Sequence, residues 1–515
     1  HGSPTAGNMD AGSYTITRDT GTPGTSTGET TVVFNITNEL SDRGLDIKIL
    51  GGCVPAGGGT YDCSGTNNKG STTGVITFRT VVQEEFTDAH LLAANSGDSS
   101  VDQGDVLKNE VSTEAEVLDN ATLVGTTKIT KDAKGVSEVE VTLTRGTSSK
   151  SFYAINGNTA YTTPVHVEPA DVITYKLKYD LATSDFEDLY FTDYLPLPIL
   201  DIDDPDANGT AGPGWSFNVV CSGAGSIPVP GEVCLGSGDT FYTYASVAPT
   251  LTPDSGNNTL KIDYGDFDDS RNQATAIEIL FSIAVNTEPF TDGLKLTNQA
   301  TVHEGSTQNS TSDSSAIIDF VLDEPVLVGK KSIIATDNAN ATMDPALSGY
   351  TFTAPGSSGV RWTSPAKIDS TYLENNAINS NINGSDGGDI ITFAIVIENQ
   401  GHSSGGAYDI AILDRLPPEL QIPPGGLNLD IRFGDGTGGI TYTKPDGTAA
   451  TDTDLFGGGI KLDDPGTGLC QSHDPNLGNN IIIITYDLQV KPTVSPGVEI
   501  ANEGTITNYS NKEGG

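Results

Sequence analysis

The chain has 515 residues, with Lys+Arg 26 against Asp+Glu 68 and a formal net charge of −42. Such a field repels nucleic acid and anionic membrane surfaces, excludes nucleic acid as a partner, and suits a saline or calcium-containing medium that screens self-repulsion. Apolar residues at 36% plus 60 glycines suffice for packed cores, and no run of about 18 apolar residues occurs, so no membrane span is expected.

The length predicts roughly two to four domains. The chain opens His1-Gly2-Ser3 rather than with Met, as expected once a leader is removed or for a piece of something longer. Strand signals then follow one another. Residues 30–37, 74–82, 137–144, 172–179, 390–397 and 481–490 are rich in Val, Ile, Thr and aromatics, and most of them alternate with period two. Gly, Asn, Asp, Ser and Pro clusters separate them, which is the vocabulary of turns. No long segment shows a 3.6-residue apolar stripe. The expected fold class is all-β.

Cys53 and Cys63 lie close together in a Gly/Pro-rich stretch, and so do Cys221 and Cys234. Their spacing is not that of a zinc site, and two short disulfides, Cys53–Cys63 and Cys221–Cys234, are expected in an oxidising compartment. Cys470 is left over as one reactive thiol.

Internal repetition is the strongest signal. Residues 171–179 and 189–196 match residues 389–397 and 410–417. Each set reads as a strand, a connection, a second strand and then Asp-x-Leu-Pro, at Asp193-Tyr194-Leu195-Pro196 and Asp414-Arg415-Leu416-Pro417. The endings match as well: 276–285 with 296–302, 480–490 with 500–506, and, early in the chain, 74–82 with 107–112. Similar linkers at 123–128 and 327–331 place boundaries near 118 and 324. Three units result: 1–118, a divergent or incomplete sandwich; 119–324, with a long insertion at 199–260; and 325–515.

The motifs Glu398-Asn399-Gln400-Gly401, Asp414-Arg415-Leu416-Pro417 and Asn502-Glu503-Gly504-Thr505-Ile506 resemble the DUF11-type repeat of bacterial and archaeal surface proteins. The likeness is clearest over 325–515, good over 119–324, and confined to the final strands of 1–118. It implies tandem immunoglobulin-like β-sandwich domains with long loop insertions, in a non-enzymatic structural protein of the cell surface: a filament, S-layer or adhesin-stalk subunit. Lysines on the first strand and asparagines on the last invite intramolecular isopeptide bonds, Lys128 with Asn298 and Lys331 (or Lys330) with Asn502. Such bonds in related surface domains need a buried carboxylate between the partners, and the sequence does not single one out.

Asp204, Asp206 and Asn208, followed by Gly209, have the oxygen spacing of a calcium loop, although Trp215 stands at the twelfth position where an EF-hand has Glu. A second acidic cluster comprises Asp263, Asp266, Asp268 and Asp269. A calcium-dependent adhesin or carbohydrate-binding module is the alternative function, with Trp215, Tyr242 and Tyr244 as its sugar-stacking aromatics. Asn-x-Ser/Thr sequons at Asn35, Asn120, Asn208, Asn257, Asn309, Asn340, Asn383 and Asn508 are acceptors if the organism glycosylates surface proteins. Catalytic signals are poor. Gly24-Thr25-Ser26-Thr27-Gly28 has the G-x-S-x-G spacing but no strand-to-helix elbow. The first unit lacks the Asp-x-Leu-Pro segment, so self-association or neighbouring surface subunits, with a strand donated between chains, are the expected partners.

Overall fold

The computed structural model describes residues 7–19, 29–44, 54–56, 60–62, 74–86, 100–118 and 128–514, apart from 184, 211–213, 270, 272 and 308–310. The regular secondary structure of the described residues is almost entirely strand, and two packed cores account for most of their buried apolar side chains.

Among the described residues, the first unit shows no closed sandwich. Strands β1 (Tyr14–Arg18) and β2 (Thr30–Phe34) pair antiparallel. The expected strand over 30–37 stops at Phe34 because Asn35 accepts from the Asn38 N–H and caps a helix, Ile36–Asp42. Residues 74–82, expected as a strand, run without a ladder, with Val75 84% and Val81 81% exposed. Strands β3 (Val106–Leu118) and β4 (Lys128–Thr142) form a long antiparallel ribbon that crosses the expected boundary near 118. Its period-two alternation leaves Val111, Val139 and Val141 on one exposed face. Cys53 and Cys63 lie outside the described residues.

The second unit is a two-sheet sandwich. Its strands are β5 (Thr147–Ile155), β6 (Val165–Val167), β7 (Val172–Leu181), β8 (Phe186–Tyr194), β9 (Ser216–Asn218), β10 (Glu232–Leu235), β11 (Thr250–Asp254), β12 (Thr259–Phe267), β13 (Thr275–Ala284), β14 (Leu294–Glu304) and β15 (Ser312–Leu322). One sheet has the order β9-β10-β13-β7-β5 and the other β11-β12-β8-β14-β15-β6. The expected insertion at 199–260 is thus not all loop, since β9, β10 and β11 extend both sheets. Inward positions such as Ile173, Leu177, Phe191, Ile279, Phe281 and Val302 fill the core between them.

The third unit repeats the plan. Strands β16 (Leu327–Thr336), β17 (Ile390–Asn399) and β23 (Ile481–Val490) form one sheet with the short β19 (Leu420–Gln421) and β20 (Asp430–Phe433), which both pair with β23. The opposing sheet has the order β21 (Tyr442–Thr443), β22 (Ile460–Leu462), β18 (Tyr408–Asp414), β24 (Gly504–Ser510). A segment between β16 and β17 covers the outer face of the first sheet with a smaller cluster around Trp362, Ile368 and Leu373. It is tied down by Arg361, fully buried against Asp487 at 3.1 Å. Thr392, Asn428 and the Gly356 N–H also donate to that carboxylate, satisfying a charge that would be costly if buried alone.

Candidate functional site: two buried lysine–aspartate–asparagine clusters

In each sandwich one lysine points inward. Lys150 sits on β5 opposite Leu177, and Lys331 on β16 opposite Ile395. The period-two alternation that turns apolar neighbours inward carries these amines into the core with them. Across the sandwich, Asp193 ends the inward row of β8 and Asp414 that of β18. Asp193 pairs with Ala300, two residues from Asn298, and Asp414 pairs with Gly504, two residues from Asn502. Register therefore makes the two sites equivalent position for position. Each aspartate and asparagine are diagonal neighbours on one sheet, facing a lysine on the other.

The contacts are close. The Lys150 ammonium bonds Asp193, and both side chains are fully buried. Lys331 Nζ lies 2.7 Å from both oxygens of Asp414, whose side chain is likewise buried. Withdrawal from water costs several kcal/mol per ion, so each lysine is pushed toward its neutral amine. Burial lowers the Lys150 and Lys331 pKa values, and burial raises that of Asp193. An amine freed of its proton is a nucleophile, whereas an ammonium is not.

The asparagines are oddly placed. Asn298 is 0% exposed and lies beside the Asp193 carboxyl and the Tyr175 hydroxyl, yet neither its Oδ1 nor its Nδ2 completes a hydrogen bond. Asn502 Nδ2 donates to Tyr486 Oη at 3.2 Å, while its buried Oδ1 has no partner. Each unmade buried hydrogen bond costs about 1–3 kcal/mol. Joining a lysine would expel Nδ2 as ammonia and keep Oδ1, so it would remove the orphaned Nδ2 of Asn298.

Of the expected pairs, Lys331 with Asn502 is brought together around Asp414, and Lys128 with Asn298 is not. Lys128 lies on β4 opposite Leu118, in the first ribbon. The second unit's sandwich begins one strand later, and Lys150 holds the equivalent position. The carboxylates that the sequence does not single out are the first residues of the repeated Asp-x-Leu-Pro, a motif that by itself marks only the repeat. Lys150-Ser151 and Lys331-Ser332 are the matching opening dipeptides that would have corrected the lysine.

The other candidates fare differently. Cys221 and Cys234 are disulfide-bonded, with Cα atoms 5.2 Å apart. Cys470 is free but wholly buried, its thiol donating to the Asn480 carbonyl and its pKa pushed up to about 12 by burial, so it is not the reactive cysteine expected. Asp204, Asp206 and Asn208 share one turn. Its own groups take most of their oxygens: Asn208 and Gly209 N–H donate to Asp204, the Asn208 amide donates to Asp206, and Thr210 N–H donates to Asn208. The second acidic cluster disperses, with Asp263 on Lys261, Asp269 on Arg271 and Asp266 accepting from the Asp188 N–H. Nor do the aromatics offer a sugar platform. Trp215 bonds the Ile202 carbonyl and packs on Phe281, Tyr242 packs on Phe217, and Arg271 covers Tyr244. An unexpected trio, Asp409, Asp464 and Glu513, comes together with Lys461 bonded to Asp409.

No family model matches the chain, and no curated protein does. Among solved structures, the C-terminal domain of the Streptococcus agalactiae antigen I/II polypeptide BspA matches at 10% identity, covering 67% of this chain and 91% of its own, with a TM-score of 0.28. The full-length major pilin SpaD of Corynebacterium diphtheriae matches at 10% identity over 64% and 86%, with a TM-score of 0.22. A variant of BcpA, the major pilin subunit of Bacillus cereus, matches at 9% identity with a TM-score of 0.24, over 50% of this chain and 62% of its own length. Superposition is loose in every case, and the chemistry of the two clusters stands on their own geometry. Among the described residues no helix is long and apolar enough to cross a membrane.

Proposed function

We propose that the chain is a non-enzymatic structural protein of the cell surface, a filament, S-layer or stalk subunit, whose sandwiches staple themselves with lysine–asparagine isopeptide bonds. The observation that carries this is the same Lys–Asp–Asn constellation at equivalent register in two units: Lys150, Asp193, Asn298 and Lys331, Asp414, Asn502. The lysine Nζ attacks the asparagine Cγ, the Cγ–Nδ2 bond breaks, ammonia leaves, and an amide joins the two sheets. The buried aspartate takes the proton from the attacking amine, and that proton passes on to Nδ2 so that it departs as ammonia. Neither cofactor nor oxidant is needed.

Placement of the bond suits load-bearing. It ties the first strand of each unit to a strand near its end, the penultimate β14 in the second unit and the segment entering β24 in the third, so tension along the chain passes through a covalent link rather than through sheet hydrogen bonds. An extracellular setting also agrees with the Cys221–Cys234 disulfide. Subunits of the same assembly are the natural partners, and the unladdered 74–82 segment with its exposed valines supports strand donation between them.

Intact mass spectrometry of the full chain tests the central claim. The mass should fall below the sequence value by about 17 Da, one ammonia, for each of the two bonds, after allowance for disulfides. A chain at full sequence mass would remove the reading. Labelled antibody against intact cells should decorate their outer surface, and an exclusively internal location would refute the surface role.

A further inference from the structure

Each cluster contains one tyrosine and one phenylalanine at directly paired positions of the two central strands, and the two units have them exchanged. In the second unit Tyr175 on β7 pairs with Phe281 on β13. In the third, Phe393 on β17 pairs with Tyr486 on β23. The rings lie together in both, with centroids 5.2 and 5.6 Å apart, and the lysine amine sits over both rings at 4.7 to 5.8 Å. For packing alone, two phenylalanines would serve better, because a buried hydroxyl must be satisfied or costs free energy. Yet each site has one phenol.

In the third unit the hydroxyl's position is telling. Tyr486 Oη bonds Asp414 Oδ2 and also accepts from Asn502 Nδ2 at 3.2 Å. With Lys331 Nζ at 2.7 Å from Asp414, an unbroken hydrogen-bonded path runs from the nucleophile through the carboxyl and the phenol to the leaving nitrogen. In the second unit Tyr175 reaches the same region from the opposite strand. Its hydroxyl is fully buried, lacks a completed hydrogen bond, and stands beside Asn298 and near Asp193.

We infer that the single tyrosine of each cluster is a catalytic residue of bond formation, relaying the proton from the aspartic acid to the departing ammonia, and that either paired strand can supply it. This rests on the isopeptide reading. The proton leaves Nζ as the Nζ–Cγ bond forms, passes to the aspartate, moves through the phenol as its two hydrogen bonds reverse, and reaches Nδ2 as Cγ–Nδ2 breaks. Protons and charge balance, and the tyrosine is regenerated. Phenylalanine at both positions would keep the packing and break the path, leaving a poor leaving group to depart unprotonated.

The test uses the full chain with Tyr486→Phe and the double swap Phe393→Tyr/Tyr486→Phe, leaving the second unit as an internal control. Cross-linked peptides from each unit are quantified by mass spectrometry over time after synthesis. Tyr486→Phe should slow third-unit bond formation by about 10²–10⁴-fold, the usual worth of positioned proton transfer, with the second-unit bond unaffected. The swap should restore it, a rescue that a merely structural tyrosine would not produce. Tyr175→Phe with Phe281→Tyr repeats the experiment in the second unit should Tyr486→Phe misfold by circular dichroism. Linkage at the wild-type rate in both single variants, or no rescue by either swap, overturns the relay while leaving the bonds in place. Absence of both bonds from the wild-type chain removes the parent reading instead.

Discussion

Replacing Asn502 by Ala removes the carbon that Lys331 would attack in the proposed bond and leaves the Lys331–Asp414 pair intact. Lys331 and Asn502 stand 171 positions apart, so the proposed bond would close a loop containing most of the third unit. The chain-entropy relation for a cross-link of that span gives about 17 cal/mol/K, or about 5 kcal/mol at 25 °C, by which the bond restricts the unfolded state. For a unit of this size, 1 kcal/mol shifts Tm by about 2–4 °C, so loss of the staple should lower the third-unit melting point by about 10–20 °C. Without a bond, Asn502 contributes one hydrogen bond to Tyr486, and Asn502→Ala would cost about 1 kcal/mol and only a few degrees. Scanning calorimetry of the full chain separates the two cases. A shift under about 4 °C would refute the covalent account even if the fold were unaltered.

Four further outcomes follow from the geometry. In the second unit Lys150→Met should abolish the ammonia loss whereas Lys128→Met should not, as read from intact mass; the reverse would restore the pairing first expected from the sequence. Cys470 should resist a thiol reagent in the native chain and react once the chain is denatured, since it is buried and its pKa is pushed up to about 12; rapid native labelling would contradict that burial. Asp487→Ala strands Arg361 without its counter-ion and should destabilise the third unit by about 3–5 kcal/mol in denaturant titration, while a near-neutral effect would mean the buried pair is not formed. His402 and Asp292, 2.7 Å apart, join the loop before β14 to the third unit: the bond to Asp292 raises the His402 pKa above 6.5, and although burial opposes it, bonds from the Glu324 N–H and His402 lower that of Asp292 below 3.8. The histidine's contribution is complete below 6.5 and lost as pH rises through its folded value, and the aspartate's is present above 3.8 and lost as pH falls through its folded value, so the contact should be firmest between them. Titration of the His402 ring by NMR checks this, and a midpoint at or below 6.5 would contradict it.

The all-β class, the two well-formed sandwiches and the repeat that relates them were legible from the sequence, because strand alternation and turn residues are local properties. So was the Lys331–Asn502 pair, since both residues stand at the corresponding ends of a clean repeat. The carboxylate between them was in plain view as the first residue of Asp-x-Leu-Pro, but nothing local marks one aspartate among 68 acids as buried. Burial depends on which face of β8 or β18 turns inward once two sheets pack, and that is settled by partners distant in sequence, such as Lys150, 43 residues from Asp193, and Lys331, 83 residues from Asp414. The same holds for Lys128 and Lys150: a linker resemblance favoured the first, whereas strand register, fixed by the pairing of β5 with β7, placed the second in the core. The exchanged tyrosines could not have been aligned by sequence at all, because they lie on different strands of the repeat and become equivalent only where Tyr175 meets Phe281 and Phe393 meets Tyr486 across a ladder. Sequence supplied the chemical groups, and the packing of two sheets decided which of them lost their water and so could react.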